Sequence, residues 1–241
     1  KAAAVAHLVQ VRDVDGVVRE DPLFVNYYGR AIPSMALSLA AQSLNLKAQD
    51  LKLEEDQATI GRLKIPLEEG AIMLPQFYKS SDGKYAFETD SFFDVLNDKV
   101  PASKYAGKIV IVGSTAKGVG TLFSTPAAKD FDAAQLAAYV TSSILQEQTI
   151  TRPAWGSVVS LLAFLTVAAF LMFILPRLSA GQAALASGVL LIVLLASEFG
   201  LMVGSAKWVP LVLPAVLLVA GCLLLTTNRF LFTEAGKVKA D

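Results

Sequence analysis

Three apolar runs close this chain and constrain its fold more than any other feature. Residues 155–175 (WGSVVSLLAFLTVAAFLMFIL), 183–203 and 208–227 each come near the ~20 residues that cross a ~30 Å hydrocarbon core as helix. Only PRLSAGQ separates the first pair and GSAK the second, so the runs read as three spans joined by tight turns. Arg177 lies in the first turn, and Arg229, Lys237 and Lys239 follow the third span, against Arg152 and Lys207 on the other side. By the positive-inside rule this puts the N-terminal part outside the cytoplasm and the tail inside, with Trp155 and Trp208 at the outer interface. The localisation expected is a multi-pass protein of the cell inner membrane, its soluble domain periplasmic or extracellular.

Charge marks the boundary. Before Pro153 the chain carries 16 Lys and Arg with 18 Asp and Glu; beyond it, only 5 and 3. A mean hydropathy of +0.52 with 54% apolar residues follows from that uncharged end. With no basic excess, nucleic acid is not an expected partner, and membrane lipid is. Cys222 is the single cysteine and lies in an apolar run, which leaves no disulfide framework and no thiolate metal site. The chain opens KAAAVAH without Met, so more protein is expected ahead of residue 1.

The soluble part reads as α/β, more closely α+β. Residues 8–29 alternate around Asp15-Gly16, a hairpin signal. Residues 33–44 predict a helix with Met35, Leu39 and Leu44 on its buried face, and a second hairpin is expected between 59–66 and 71–78. SFFDVLND, 91–98, predicts a short helix capped by Asp90 or Ser91. IVIVG, 109–113, is the β-branched run of a central covered strand, and 132–148 is an amphipathic helix with Leu136, Val140 and Ile144 at spacing four, packed on that strand's sheet. In TITRP, Pro153 disfavours helix at Arg152 and makes a short elbow between this helix and the first span. In the second span Ala184 and Gly188, then Gly200 and Gly204, form small-residue pairs suited to close helix approach.

The glycine loop after IVIVG is the first place to look for chemistry. Gly113 and Gly118 have the spacing of a phosphate loop, but Val119-Gly120 stand where lysine and hydroxyl would meet phosphate and magnesium. Pro126 separates the loop from the next helix, so no helix N-terminus opens directly on a pyrophosphate. The stretch reads as a glycine-shaped turn; as a ligand site it would comprise Gly113, Ser114, Thr115, Lys117, Gly118 and Gly120. No catalytic, metal or cofactor set stands out: His7 is the single histidine, and Glu54-Glu55 and Glu68-Glu69 read as solvated surface. Glu198, Pro210 and Pro214 leave a membrane transport or scaffold subunit as the alternative, although short turns make a poor substrate path.

An ordered series of motifs then narrows the class. DVDGVVREDPLFVNYYGRAIPSMALSLA is followed by TDSFFDVLNDKVPASKYAGKIVIVGSTAKGVGTLFSTP, a helix and three spans. Over residues 11–227 this order resembles the extracytoplasmic CHASE sensor family, second type. Two positions depart from the family's usual pattern: AAKDFDAAQLAAY lacks a histidine, and Thr121 stands in place of an aspartate. The resemblance implies an extracytoplasmic sensor domain (1–153), three transmembrane helices (154–228) and a cytoplasmic juxtamembrane linker (229–241), preceded by an anchor and early strands. It further implies an unknown extracytoplasmic ligand or protein, a homo-oligomer, and an output domain beyond residue 241. The tail NRFLFTEAGKVKAD is most similar to members carrying a serine/threonine kinase, with adenylate cyclase the other output considered. No enzyme motif lies in this chain.

Overall fold

Asp13 and Gly16 start the first ordered turn. Gly16 adopts a φ of +79°, its N–H donates to the Asp13 carbonyl (2.8 Å), and the Asp13 N–H donates to Val17 (2.9 Å). The computed structural model describes residues 4–79, 86–115 and 119–238. The expected hairpin around this turn reduces to one bridge, Val11 with Glu20, because the outgoing chain departs to another sheet. There β1 (Asp21–Pro22) pairs antiparallel with β7 (Ile72–Pro75), and β7 pairs on its other side with β8 (Thr149–Ile150).

The tight hairpin lies just beyond. Strands β2 (Phe24–Tyr27) and β3 (Arg30–Pro33) join through Tyr28 and Gly29, both at positive φ (50° and 78°), as a two-residue hairpin turn requires. Helix α1 (Met35–Ser43) follows, capped by the Ser34 hydroxyl, which accepts from the Leu37 N–H at 3.1 Å. Its buried face is Ala36, Leu37, Ala40 and Ala41; Met35 and Leu39 are half-buried and Leu44 exposed, contrary to the expected stripe. Small side chains lie inward because α1 packs closely on α3 (Ala133–Leu145), where large ones would hold the helices apart. The second hairpin is also displaced. β4 (Leu51–Leu53), β5 (Gln57–Ile60) and β6 (Leu63–Pro66) form one antiparallel sheet turning at Gly61, and 72–75 belongs to the other sheet. The short helix α2 (Phe92–Leu96) forms where expected.

Helix α3 carries most of the packing. Asp132 caps it, accepting from the Gln135 N–H at 2.8 Å. Val140 and Ile144 enter a core with Leu23, Leu37, Ile60, Ile65 and Met73, whereas Leu136 and Tyr139 enter another with Val18, Phe123 and Phe131. The Tyr139 hydroxyl donates to the Tyr78 carbonyl (2.8 Å) and accepts from the Ala86 N–H (2.9 Å), so the buried phenol is paired twice. The predicted face is thus buried, but not on a strand of IVIVG. Residues 109–115 form no strand, and Val110 and Val112 are exposed. β-branching favours the extended chain locally, yet a strand exists only with a ladder partner, and none reaches this run among the described residues.

Residues from Arg152 onward form a separate compact unit. Helix α4 (Gly156–Ala169) continues through a wide turn (Phe170–Ile174) and a tight one (Leu175–Arg177), followed by α5 (Ala180–Ser205) and α6 (Val212–Val238). Gly156–Arg177 and Ala180–Ser205 are long and apolar enough to cross a membrane; the apolar part of α6 is the shorter Val212–Asn228. The third helix starts later than its apolar run because Pro210 keeps Val209 out of helical geometry, and its carbonyl accepts from the Ser160 hydroxyl at 2.7 Å. Both α4 and α5 contact α6, around Val167, Leu171, Ala183, Leu194 and Leu218. Gly188, Gly200 and Gly204 face open space, so these glycines make no close approach among the described residues. That role falls to Gly221, where an added Cβ would lie 2.4 Å from Leu171 Cδ1. Gly221→Leu is expected to lower the thermal melt of the chain in detergent, by an overpacking cost of about 1–3 kcal/mol. Gly200→Leu should leave the melt unchanged, and equal effects would contradict this packing.

Candidate functional site

The DVDGVVR segment is an ion-paired turn. Arg19 forks onto two carboxylates, Nη1 to Asp13 Oδ2 and Nη2 to Asp15 Oδ2, each at 2.7 Å. Asp15 Oδ1 also accepts from the Val17 N–H at 3.0 Å. The Arg19 hydrogen bond, helped by that N–H, holds the Asp15 carboxyl down at about 2. Immediately after the turn the chain meets a segment more than a hundred residues away. Val17 bridges Ser124, and the Val18 N–H donates to the Ser124 carbonyl at 2.7 Å. The Ser-Thr-Pro that follows is a turn of its own: Thr125 Oγ1 donates to the Ala128 carbonyl (3.0 Å) and accepts from the Ala128 N–H (3.2 Å). The Arg12 guanidinium lies 5.5 Å from the centre of the Phe123 ring.

The SFFDVL segment is fastened differently from its expected cap. Ser91 occupies the cap position of α2 without a side-chain bond, and Asp90 turns instead to Lys104 Nζ (2.7 Å) and the Tyr105 hydroxyl (2.8 Å). The Lys104 bond, then the Tyr105 bond, lower the Asp90 carboxyl from its ordinary value. This joins α2 to the tight turn Ala102–Tyr105 and leaves Phe92, Phe93 and Leu96 exposed.

Of the six glycine-loop residues, Lys117 and Gly118 lie outside the described residues; Gly113, Ser114, Thr115 and Gly120 are exposed. Neither Gly113 nor Gly120 uses a positive φ. An added Cβ on Gly113 would fall 2.6 Å from Ala134 Cβ in the first turn of α3, and one on Gly120 would fall 2.8 Å from the Ser114 carbonyl oxygen. Both glycines therefore have steric reasons to be glycine. The nearby start of α3 already holds an anion, the carboxylate of Asp132. Among the described residues no cluster of His, Cys, Asp and Glu suits a metal ion.

Sequence reading passed over the most perturbed acid. Asp21 is 2% exposed; Oδ1 accepts from Gln10 Nε2 at 3.1 Å, while Oδ2 has no hydrogen-bond partner among the described residues. Burial pushes its carboxyl up to about 7, against the Gln10 bond, which pulls it down. Asp21, Pro22 and Leu23 are all buried, which no local pattern in the sequence announces. His7 lies nearby in the fold through its backbone: its N–H donates to Pro33 and its carbonyl accepts from Met35. Burial lowers its imidazole below the ordinary value, the Leu23 carbonyl acting in the opposite sense, and Nδ1 accepts from the Val9 N–H at 3.2 Å.

The family model of the CHASE2 domain matches residues 1–175. The chain belongs to the CHASE2 domain family. CHASE2 domains are extracytoplasmic sensory domains, and the match runs from the first residues through most of the first apolar helix. No curated protein and no solved structure matches the chain. In this CHASE2 domain DGVV and STP, far apart in sequence, are neighbours through Val17, Val18 and Ser124.

Two outcomes test the site geometry. Gly113→Val is expected to cost about 1–3 kcal/mol in stability, with part of it recovered on adding Ala134→Gly, read as denaturant midpoints. A double variant no better than the single would place the strain elsewhere. The Asp15 contribution is present above its unfolded value of 3.8 and is lost as pH falls toward about 2. Asp15→Asn should accordingly flatten the acid limb of the stability curve between those values, and an unchanged limb would refute the pairing.

Proposed function

We propose that this CHASE2 chain is the sensory input and membrane-anchoring module of a transmembrane signalling protein. It relays an extracytoplasmic cue to a cytoplasmic output domain, a serine/threonine kinase or nucleotide cyclase, carried beyond residue 241. The observation that carries the reading is the family match continuing into an apolar helix of 22 residues, so sensor and span are one uninterrupted chain. Cation–ring pairs at one end of the helical unit support a membrane interface there. Arg152 lies 4.8 Å from the Trp208 ring centre and Lys207 Nζ 6.0 Å from that of Trp155, the aromatic and basic mixture that suits the headgroup layer. Chemistry belongs to the output domain, and this chain acts by binding and by moving its helices as part of a homo-oligomer.

The exit from the sensor is a strand. Thr149 and Ile150 pair with Pro75 and Leu74, so the elbow expected at TITRP begins only after β8. A change in the sensor sheet reaches the first span through Thr151 and Arg152 with little slack. Lengthening the connection there with a flexible Gly-Ser insert should leave the sensor folded and uncouple output in the intact protein; normal output with a long insert would reject this route. For topology, Val14→Cys in a Cys222→Ser background is expected to react with a membrane-impermeant maleimide in cells stripped of any outer barrier, since Val14 is fully exposed. Ala240→Cys should react only after permeabilisation, and reversed labelling would overturn both topology and function.

A further inference from the structure

Gln10 and Asp21 hold two buried oxygens that want the same thing. Gln10 Oε1 and Asp21 Oδ2 are both buried without a hydrogen-bond partner among the described residues, and both belong to planar groups already joined by the Gln10 Nε2–Asp21 Oδ1 bond. Two unpaired acceptors on groups that already share one hydrogen bond are a costly arrangement, since each loses water and gains nothing. One hydrogen on Asp21 Oδ2, donated to Gln10 Oε1, would remove both deficits.

We propose that Asp21 and Gln10 form a proton-binding clasp, in which protonation of Asp21 Oδ2 lets it donate to Gln10 Oε1 while Gln10 Nε2 continues to donate to Oδ1. The proton comes from the extracytoplasmic medium, and the product is a neutral acid–amide pair with two parallel hydrogen bonds. The clasp has a structural consequence because Gln10 sits on the N-terminal segment 4–12. Besides this side-chain bond, that segment is held among the described residues by the His7 backbone bonds to Pro33 and Met35, by the Val11–Glu20 bridge and by Arg12 over the Phe123 ring. Tightening the Gln10–Asp21 tie changes how firmly the segment lies on β1.

The surroundings suit a proton rather than a metal or a counter-ion. Strand β7, paired with β1, carries no ionisable side chain, and neither does α1; α3 offers only Tyr139, whose hydroxyl is already bonded. The N-terminal segment brings His7 and Arg12, and Arg12 lies over Phe123. Along Asp21's own stretch, Arg19 is engaged with Asp13 and Asp15, and Glu20 is the adjacent acid. Burial is accordingly the main force on the carboxyl, raising it from 3.8 to about 7, so the native protein holds a proton that the unfolded chain has released between those values. Stability from this group is complete below 3.8, falls as pH rises, and is lost above about 7. His7, lowered by burial, acts in the opposite sense, and comparison with an Asp21 variant separates the two.

The inference rests on the sensor reading only for its use as a cue, since proton uptake is measured without any output. The test uses the full chain in lipid nanodiscs, with infrared difference spectra of the protonated-carboxyl stretch and hydrogen exchange of residues 4–12, corrected for intrinsic rates. A carboxyl band titrating near neutrality and absent from Asp21→Asn is expected. Exchange of 4–12 should be about fivefold slower at about pH 5.5 than at about pH 8.5, the factor of one net hydrogen bond. Asp21→Asn, whose amide supplies the same hydrogen permanently, should be slow at both. If that variant fails to fold, Gln10→Ala should keep the carboxyl band and lose the pH dependence of exchange. A band midpoint in the ordinary carboxylate range, equal wild-type exchange at the two pH values, or Gln10→Ala exchange that still follows pH would overturn the clasp. None of these outcomes touches the sensor assignment, which the topology and insertion experiments test.

Discussion

Everything in the sensor unit leans on how α3 divides its buried face between two cores. A helix of thirteen residues ordinarily lays its apolar face on a single core. Here Val140 and Ile144 are enclosed by α1 and the strands, and Leu136 and Tyr139 by the aromatic cluster of Phe77, Phe87 and Phe131. Fully burying side chains of this size is worth about 1.5–3 kcal/mol each, so a small set of residues on one helix fixes both cores. The polar tip of Tyr139 completes the arrangement by bonding Tyr78 and Ala86, which ties a loop to the helix at its most buried point.

The family's motifs turn out to be fasteners. Asp13, Asp15 and Arg19 close a turn, Ser124 accepts from Val18, and Thr125 closes a second turn against Ala128. Asp90 does the same for the start of α2 through Lys104 and Tyr105. The Val18–Ser124 bond joins distant segments; Asp13, Asp15 and Thr125 also satisfy backbone groups that turns leave unpaired, whereas Asp90 bonds two side chains. A sensor built this way can vary its exposed surface without losing its frame.

Legibility in the sequence followed locality. The turn at Gly16, the stripe Leu136–Val140–Ile144 and the two apolar helices long enough to span were readable because each is decided by residues close together in the chain. The Tyr28-Gly29 hairpin could have been read, since Gly29 supplies one of its two positive φ values, but Tyr28 at φ 50° hides the signal. Strand pairing was not readable: β1 and β7 meet across fifty residues, and nothing local distinguishes 72–75 as β7 from the second arm of a nearby hairpin. The run 109–113 shows the converse failure, in which local preference was strong and no partner strand answered it. In the candidate site the glycines were visible, but their reasons, Ala134 and the Ser114 carbonyl, come from tertiary approach. Asp21 escaped notice because burial of a carboxylate depends on what covers it.

The order of the small sheet, β1-β7-β8, has one more consequence. Load applied to the chain at Thr151 is borne first by β8, whose ladder has two residue pairs, Thr149 with Pro75 and Ile150 with Leu74. Pro75 has no N–H to contribute, so even that short ladder lacks a donor. Strand β7 then passes the load to β1 through two further pairs, one of which involves Pro22. Such a linkage follows small displacements faithfully but peels before the cores give way, which caps the force that a pull on the chain beyond Thr151 can impose on the folded unit.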